Sequence, residues 1–303
     1  MICEIQFPPG WINSSKLENA LTSHTGPHET QSSETFFCFS SGCKIMIDAA
    51  VRLLSLFNQL EHIGRRVRID FEDGMTGAMG YLNRMGFFDH LSPNVEVLPE
   101  RPFYSGSKMF GGTNASLVEI AQINHQDRDP GLLSRLTDAL MLSCGHRADA
   151  RELEGAAWTI FAELIDNIFS HSQTPLDGYA ALQLYPRGNN LSVAVSDSGL
   201  GIMDTLRPAL EKESPNLARL SDVDLLVEIF RQGVSRHGMD RGCGLKGSAS
   251  KAIKFKAKLD VRLPKSMVVL VPSDDGYKPS TAFCYDGLPL IWGTHICFSF
   301  TLD

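Results

Sequence analysis

Glu163-Leu-Ile-Asp-Asn-Ile-Phe-Ser-His171 is the stretch on which the fold turns. At the α-helical period Glu163, Asp166, Asn167 and Ser170 share one ridge, while Trp158, Phe161, Ile165 and Ile168 fall largely on another. Such a helix carries either an ordinary solvated face or a site, and the segments that follow favour a site. Val193-Ala-Val-Ser-Asp197-Ser-Gly-Leu-Gly201-Ile is an apolar strand running into an acidic residue and two glycines one residue apart. A carboxylate at a strand end can accept a hydrogen bond from an exocyclic amine, and glycine lets the backbone approach a flat ring.

Two further segments extend the pattern. Arg241-Gly242-Cys-Gly244-Leu-Lys246-Gly247-Ser opens a helix predicted through Ala249 to Phe255. Backbone N–H groups at a glycine-rich helix start form an anion site, to which Arg241 and Lys246 add charge. Gly293-Thr294-His-Ile-Cys-Phe-Ser-Phe300 is a glycine-led alternating strand that closes the chain.

In this order and spacing the four segments resemble the nucleotide-binding domain of the GHKL group, shared by DNA gyrase B subunits, ninety-kilodalton heat-shock chaperones, bacterial histidine kinases and mismatch-repair MutL proteins. The resemblance implies an α/β sandwich that holds ATP between helices and a mixed sheet. By that resemblance Asn167 would hold Mg²⁺ and the phosphates, Asp197 would bind the adenine amino group, and Gly199 and Gly201 would shape the adenine pocket. Gly242 and Gly244 would cradle the phosphates with Lys246 beside them, and Thr294 would support the contact of Asp197 with adenine. Glu163, one helical turn before Asn167, stands where hydrolysing members place a general base and where kinase members polarise an acceptor.

Composition sets the bounds. A chain of 303 residues with 43% hydrophobic content is long enough for two cores. Its net charge of −7 supplies no global basic field for nucleic acid, although Lys246, Lys251, Lys254, Lys256 and Lys258 cluster locally, more simply as a solvated helix face. The seven cysteines form no Cys-x-x-Cys pair, as expected of thiols in a reducing cytosol. No run approaches the ~20 apolar residues of a membrane span, and the start lacks a signal-peptide pattern, so a cytoplasmic location is expected.

Residues 1–33 read as an irregular segment; His24 and His28 have metal-ligand spacing, but Gly26-Pro27 between them breaks the helix that spacing would need. From residue 34 the pattern is regular: a strand at Thr35 to Phe39, an amphipathic helix from Ile45 to Leu60 stopped by Gly64, a strand at Arg66 to Phe71 and a helix from Thr76 to Met85. This order suggests parallel βαβ units. Phe36 to Leu91 loosely resembles the STAS domain of anti-sigma-factor antagonists, with Ser40-Ser-Gly-Cys-Lys where that family carries Asp-Ser-x-Gly.

The expected fold class is therefore α/β, a STAS-like βαβ domain with its connector over 34–125 followed by a GHKL-type ATP-binding domain over 126–303. The second domain should hold helices at 132–142 and 148–170, a hairpin across Arg187-Gly-Asn-Asn190, and a polar lid between Ile202 and Asp240. His125 faintly resembles a phosphoacceptor, but lies only about forty residues before Asn167, too near for a dimerisation hairpin plus the first ATPase helix. Three functions stay open: an ATPase switch acting on a protein partner or a second copy through the N-terminal domain, a kinase phosphorylating a partner in trans, and a nucleotide sensor without turnover.

Overall fold

The computed structural model describes residues 2–23, 25–114, 116–124, 129–171, 174–232, 251–252, 254–274 and 276–302. It is a mixed α/β protein whose described residues form a four-stranded parallel sheet, a separate two-stranded parallel sheet and an eight-stranded antiparallel sheet.

The parallel sheet begins at the start of the chain. β1 (Ile2–Phe7) alternates so that Cys3, Ile5 and Phe7 point inward. Then come β2 (Gly10–Ile12) and α1 (Ser14–Thr22), the latter capped by Asn13, whose side chain accepts from the Lys16 N–H at 3.0 Å. Residues 1–33 are thus not irregular. β3 (Glu34–Phe39) pairs in parallel with β1, and β4 (Cys43–Ile45) with β2. α2 (Ile47–His62) follows, and Gly64, at φ 79°, ends it as expected, with the Arg65 N–H reaching back to the Leu60 carbonyl. β5 (Arg66–Phe71), α3 (Ala78–Arg84), α4 (Phe87–His90) and β6 (Glu96–Leu98) complete the unit, giving the order β1-β3-β5-β6. Phe7, Phe39 and Phe71 lie in register on three neighbouring strands, with ring centroids 4.5 and 4.9 Å apart.

After α5 (Gly106–Phe110) the chain enters the second sheet through β7 (Leu117–Ile123), which pairs with β8. β7 falls within the connector expected up to residue 125, and it also touches the first unit, where the Ile120 N–H donates to the Met85 carbonyl at 2.8 Å. α6 (Leu132–Cys144) and α7 (Ala150–His171) lead to the hairpin β8 (Gly178–Tyr185) and β9 (Asn190–Ser196), turned by Asn189 at φ 49°. α8 (Ile202–Glu213), α9 (Pro215–Ala218) and α10 (Asp222–Gln232) occupy the stretch read as a lid. β10 (Lys258–Arg262), β11 (Ser266–Ser273), β12 (Gly276–Pro279), β13 (Tyr285–Asp286) and β14 (His295–Thr301) finish the fold. The strand order is β12-β11-β10-β14-β9-β8-β7, with β13 beside β11. Every described pairing in this sheet is antiparallel, where a mixed sheet was expected.

The two faces of this sheet differ because strand residues alternate sides. Leu182, Val193, Val195, Val261, Phe298 and Phe300 face a core shared with α6, α7, α8 and α10. The opposite face carries Ala181, Ser192, Ala194, Ser196, Asp260, Arg262, His295 and Cys297, and α2 lies against it. α2 meets that surface with polar side chains at helical spacing. Ser55 bonds to Ser196 at 2.7 Å, Asn58 donates to the Tyr179 hydroxyl at 2.8 Å, and Gln59 donates to Ser198 at 3.0 Å. α2 is thus buried on both sides, between the sheets.

Two histidines at this junction are held neutral. His295 Nε2 lies 3.1 Å from the Trp292 carbonyl, so that nitrogen carries the proton and Nδ1 accepts from the Ser196 hydroxyl. Burial, reinforced by Arg52 and Arg262, holds its pKa well below the ordinary value. Burial also pushes His28, stacked on Trp292, down to about 4. Both are protonated in the unfolded chain near pH 6.5, so the stability they confer is present above that pH and lost as pH falls toward 4. Asp197, raised to about 6 by burial, opposes this because its folded form is the better proton acceptor, and Asp48 and Glu163, also raised by burial, act in the same sense. His28→Gln removes one histidine titration, so the change in stability between pH 7 and pH 5, read by urea denaturation, should be less unfavourable in the variant than in the wild type by on the order of 1–2 kcal/mol. The same pH dependence in both proteins would contradict the assignment.

Candidate nucleotide site

β9 ends by running Asp197 against the residues that precede β14. The Asp197 N–H donates to the Thr294 carbonyl at 3.1 Å, and the Thr294 N–H returns to Asp197 Oδ2 at 3.0 Å. Asp197 Oδ1 accepts from the Gly199 N–H at 2.7 Å. The Thr294 hydroxyl accepts from the Ile202 N–H, at the start of α8, at 3.0 Å. Four residues singled out in the sequence, Asp197, Gly199, Gly201 and Thr294, therefore meet in one knot of backbone and side-chain bonds.

Glycine is required at two places in this knot. Gly201 has φ 83°, and a Cβ there would sit 3.2 Å from the Gly293 carbonyl oxygen and 3.1 Å from Pro264. Gly293 has φ 90°, and its Cβ would fall 2.1 Å from the Asp197 carbonyl oxygen. Both conformations suit glycine and penalise other residues. Gly293 was not among the expected site residues, although its place immediately before Thr294 was a readable signal.

The electrostatics follow from this geometry. Burial pushes Asp197 up to about 6, against the pull of the Gly199 and Thr294 N–H groups. At pH 7 it is mainly a carboxylate, and each oxygen keeps a lone pair beyond the backbone bond it accepts. It can therefore accept from a ligand amine.

α7 passes beside the same strand end. A Cβ on Gly178 would lie 2.8 Å from Ile168 and 3.1 Å from the Ser196 carbonyl, so Ile168 nests where β8 and β9 begin and end. Asn167, the preceding residue, is partly buried. Glu163 is also partly buried, and burial followed by the charge of Asp166 raises its pKa. Asp166, with Ile165 and Phe169, also lines a cavity of ≈380 Å³ to which Gln122 and Asp129 contribute.

Lys251 and Lys254 of the lysine cluster contact α7, through Thr159 and Glu152 respectively. Gly242, Gly244 and Lys246, like His125, lie outside the described residues. Among the described residues no helix is long and apolar enough to cross a membrane. No protein-family model matches the chain, and no curated protein matches it.

Proposed function

We propose that this chain is a Mg-ATP-binding protein of the GHKL type, acting as an ATPase switch. The observation that carries the reading is the Asp197 carboxylate, fixed by two backbone N–H groups at a strand end and still able to accept from an exocyclic amine. Gly201 and Gly293 keep side chains out of the space around it. Bound ATP would supply a phosphoanhydride for cleavage, and magnesium would neutralise its charge. Asn167 would hold the ion together with phosphate oxygens, as suits a cation that binds through few protein groups. Gly242, Gly244 and Lys246 would cradle the phosphates.

Glu163 would orient and deprotonate a water. Its raised pKa, from burial and then the charge of Asp166, makes it a stronger base than an ordinary glutamate. The switch would act through α8, whose first N–H is held by the hydroxyl of Thr294. Occupancy at Asp197 would bias α8 through that bond rather than hinge the two sheets, which buried polar bonds hold together. A protein partner on the N-terminal side is supported by Phe103, 94% exposed, with Met109 and Phe110 exposed nearby in sequence.

Calorimetric titration with ATP and magnesium tests the binding. Asp197→Ala removes a charged acceptor worth roughly 1.5–3 kcal/mol, so affinity should fall at least about tenfold. Equal affinity in the variant would remove the adenine assignment. Phosphate release then separates turnover from sensing: Glu163→Ala should lower it by about 10²-fold or more with binding retained. If the same Glu163 variant instead loses transfer of label from γ-phosphate to protein, the kinase reading replaces the hydrolytic one.

A further inference from the structure

The structure has a second cavity, of ≈490 Å³, far along β8 from Asp197 and at the junction of the two sheets. All three residues of β4 and Asp73, two residues past the end of β5, line it. Gln183 and Tyr185 of β8 form one wall, Asp73 and Tyr81 another, and Trp11 with Lys44 a third. Its size is within the range of small-molecule sites.

The lining is chemically specific. Trp11 is 52% exposed, with the Lys44 ammonium 5.4 Å from its ring centre, a pairing of aromatic face and cation. Asp73 accepts from the Gly42 N–H and the Ser41 hydroxyl, both at 2.7 Å, and these bonds hold its pKa below the usual value. It is therefore a fixed carboxylate with acceptor capacity to spare. Gln183 donates through Nε2 to the Leu184 carbonyl at 2.8 Å, whereas its Oε1 is buried without a hydrogen-bond partner. A buried acceptor left unpaired is costly and calls for a donor. Cys43 also lines the space, but burial pushes its thiol up to about 11, so it offers no thiolate for covalent capture.

We propose that this cavity is a small-molecule site for a flat aromatic ring that bears an N–H donor and one anionic group. The ring stacks on Trp11, the anion pairs with Lys44, and the N–H satisfies Gln183 Oε1 or Asp73. Because the walls come from β2, β4 and the segment after β5 on one side and from β8 on the other, the occupant contacts the N-terminal unit and β8 together.

The anilinonaphthalene sulfonate dye has this chemistry, a fused ring, one secondary amine and one sulfonate, and reports binding by fluorescence. The full-length protein is expected to bind it saturably at one site, with Lys44→Ala and Gln183→Leu each weakening binding about tenfold. Gln183→Leu should also unfold at a urea concentration at or above that of wild type, because it removes the orphaned acceptor; this shows that the weaker binding does not come from misfolding. Asp197→Ala should leave dye binding unchanged, which separates this site from the nucleotide site. Unsaturable binding, or saturable binding that both variants leave intact, overturns the proposal.

Discussion

Gly293→Ala is expected to destabilise the protein by roughly 2–5 kcal/mol and to weaken nucleotide binding at the same time. The new methyl group would start 2.1 Å from the Asp197 carbonyl oxygen and 2.7 Å from its Oδ1, at a backbone φ of 90°. The atom in the way is backbone, on a residue whose N–H and Oδ2 are both bonded to Thr294, so it cannot swing aside as a side-chain tip would. Relief must come from moving the start of β14 away from Asp197, and that displaces the N–H that holds Oδ2. Gly201→Ala, with contacts of 3.1–3.2 Å mainly to proline ring atoms, should cost less. Gly155→Ala is the control: it lies within α7 with nothing within 4 Å of its Cβ position, and should stabilise by about 0.5–1 kcal/mol. Urea midpoints of the three variants, with ATP titrations on each, check the series. A Gly293 variant as stable as Gly155→Ala would show that the knot is looser than described.

The contrast between these glycines also shows what the sequence could reveal. Asp197, Gly199, Gly201 and Thr294 were legible because each belongs to a short segment whose chemistry is local: a strand end, a turn, a glycine-led strand. α7 and the β8–β9 hairpin were legible for the same reason, as strong periodicity and a turn at Asn189 need no tertiary information. α1 was missed because Ser14–Thr22 offers only Leu17 and Leu21 as apolar anchors, although Asn13 is a good cap. β1 was missed although Ile-Cys-Glu-Ile-Gln-Phe alternates, since the pairing that makes it a strand comes from β3, some thirty residues on. The pairing of β7 was not legible either, since its partner β8 comes some sixty residues later.

α2 illustrates the deeper gap. The sequence shows it as an amphipathic helix with an apolar stripe. Hydrophobic periodicity tells which residues share a face, not what that face meets. Here it meets the small, polar side of the antiparallel sheet, and Arg52, Ser55, Asn58 and Gln59 are all buried. Nothing local to α2 announces Asp260, more than two hundred residues away.

That distant pairing leads to the second large effect. Glu18 is 2% exposed and accepts at Oε1 from Arg52 Nη1 and Arg262 Nε, each at 2.9 Å. Arg52 also reaches Asp260 at 3.3 Å, and Ser14 donates to the other oxygen of Asp260 at 2.6 Å. α1, α2 and β10 are thus joined by buried charges of both signs. Glu18→Ala would take away the one carboxylate that bonds to Arg262 among the described residues, leaving it the carbonyls of Leu263 and Pro289 and the field of Asp260, which Arg52 shares. Removing one partner of a buried ion pair typically costs 3–5 kcal/mol, and urea denaturation should show a loss of about that size. Replacing both partners differs in sign from removing one, since desolvation of the pair offsets much of its attraction. Glu18→Leu combined with Arg262→Met should therefore recover most of the loss, whereas Glu18→Leu alone should not. Because the cluster joins the N-terminal unit to the sheet that carries Asp197, the wild type is expected to unfold in one transition and Glu18→Ala in two. One cooperative transition with less than about 1 kcal/mol lost would mean that apolar packing of α2, rather than this ionic cluster, holds the sheets together.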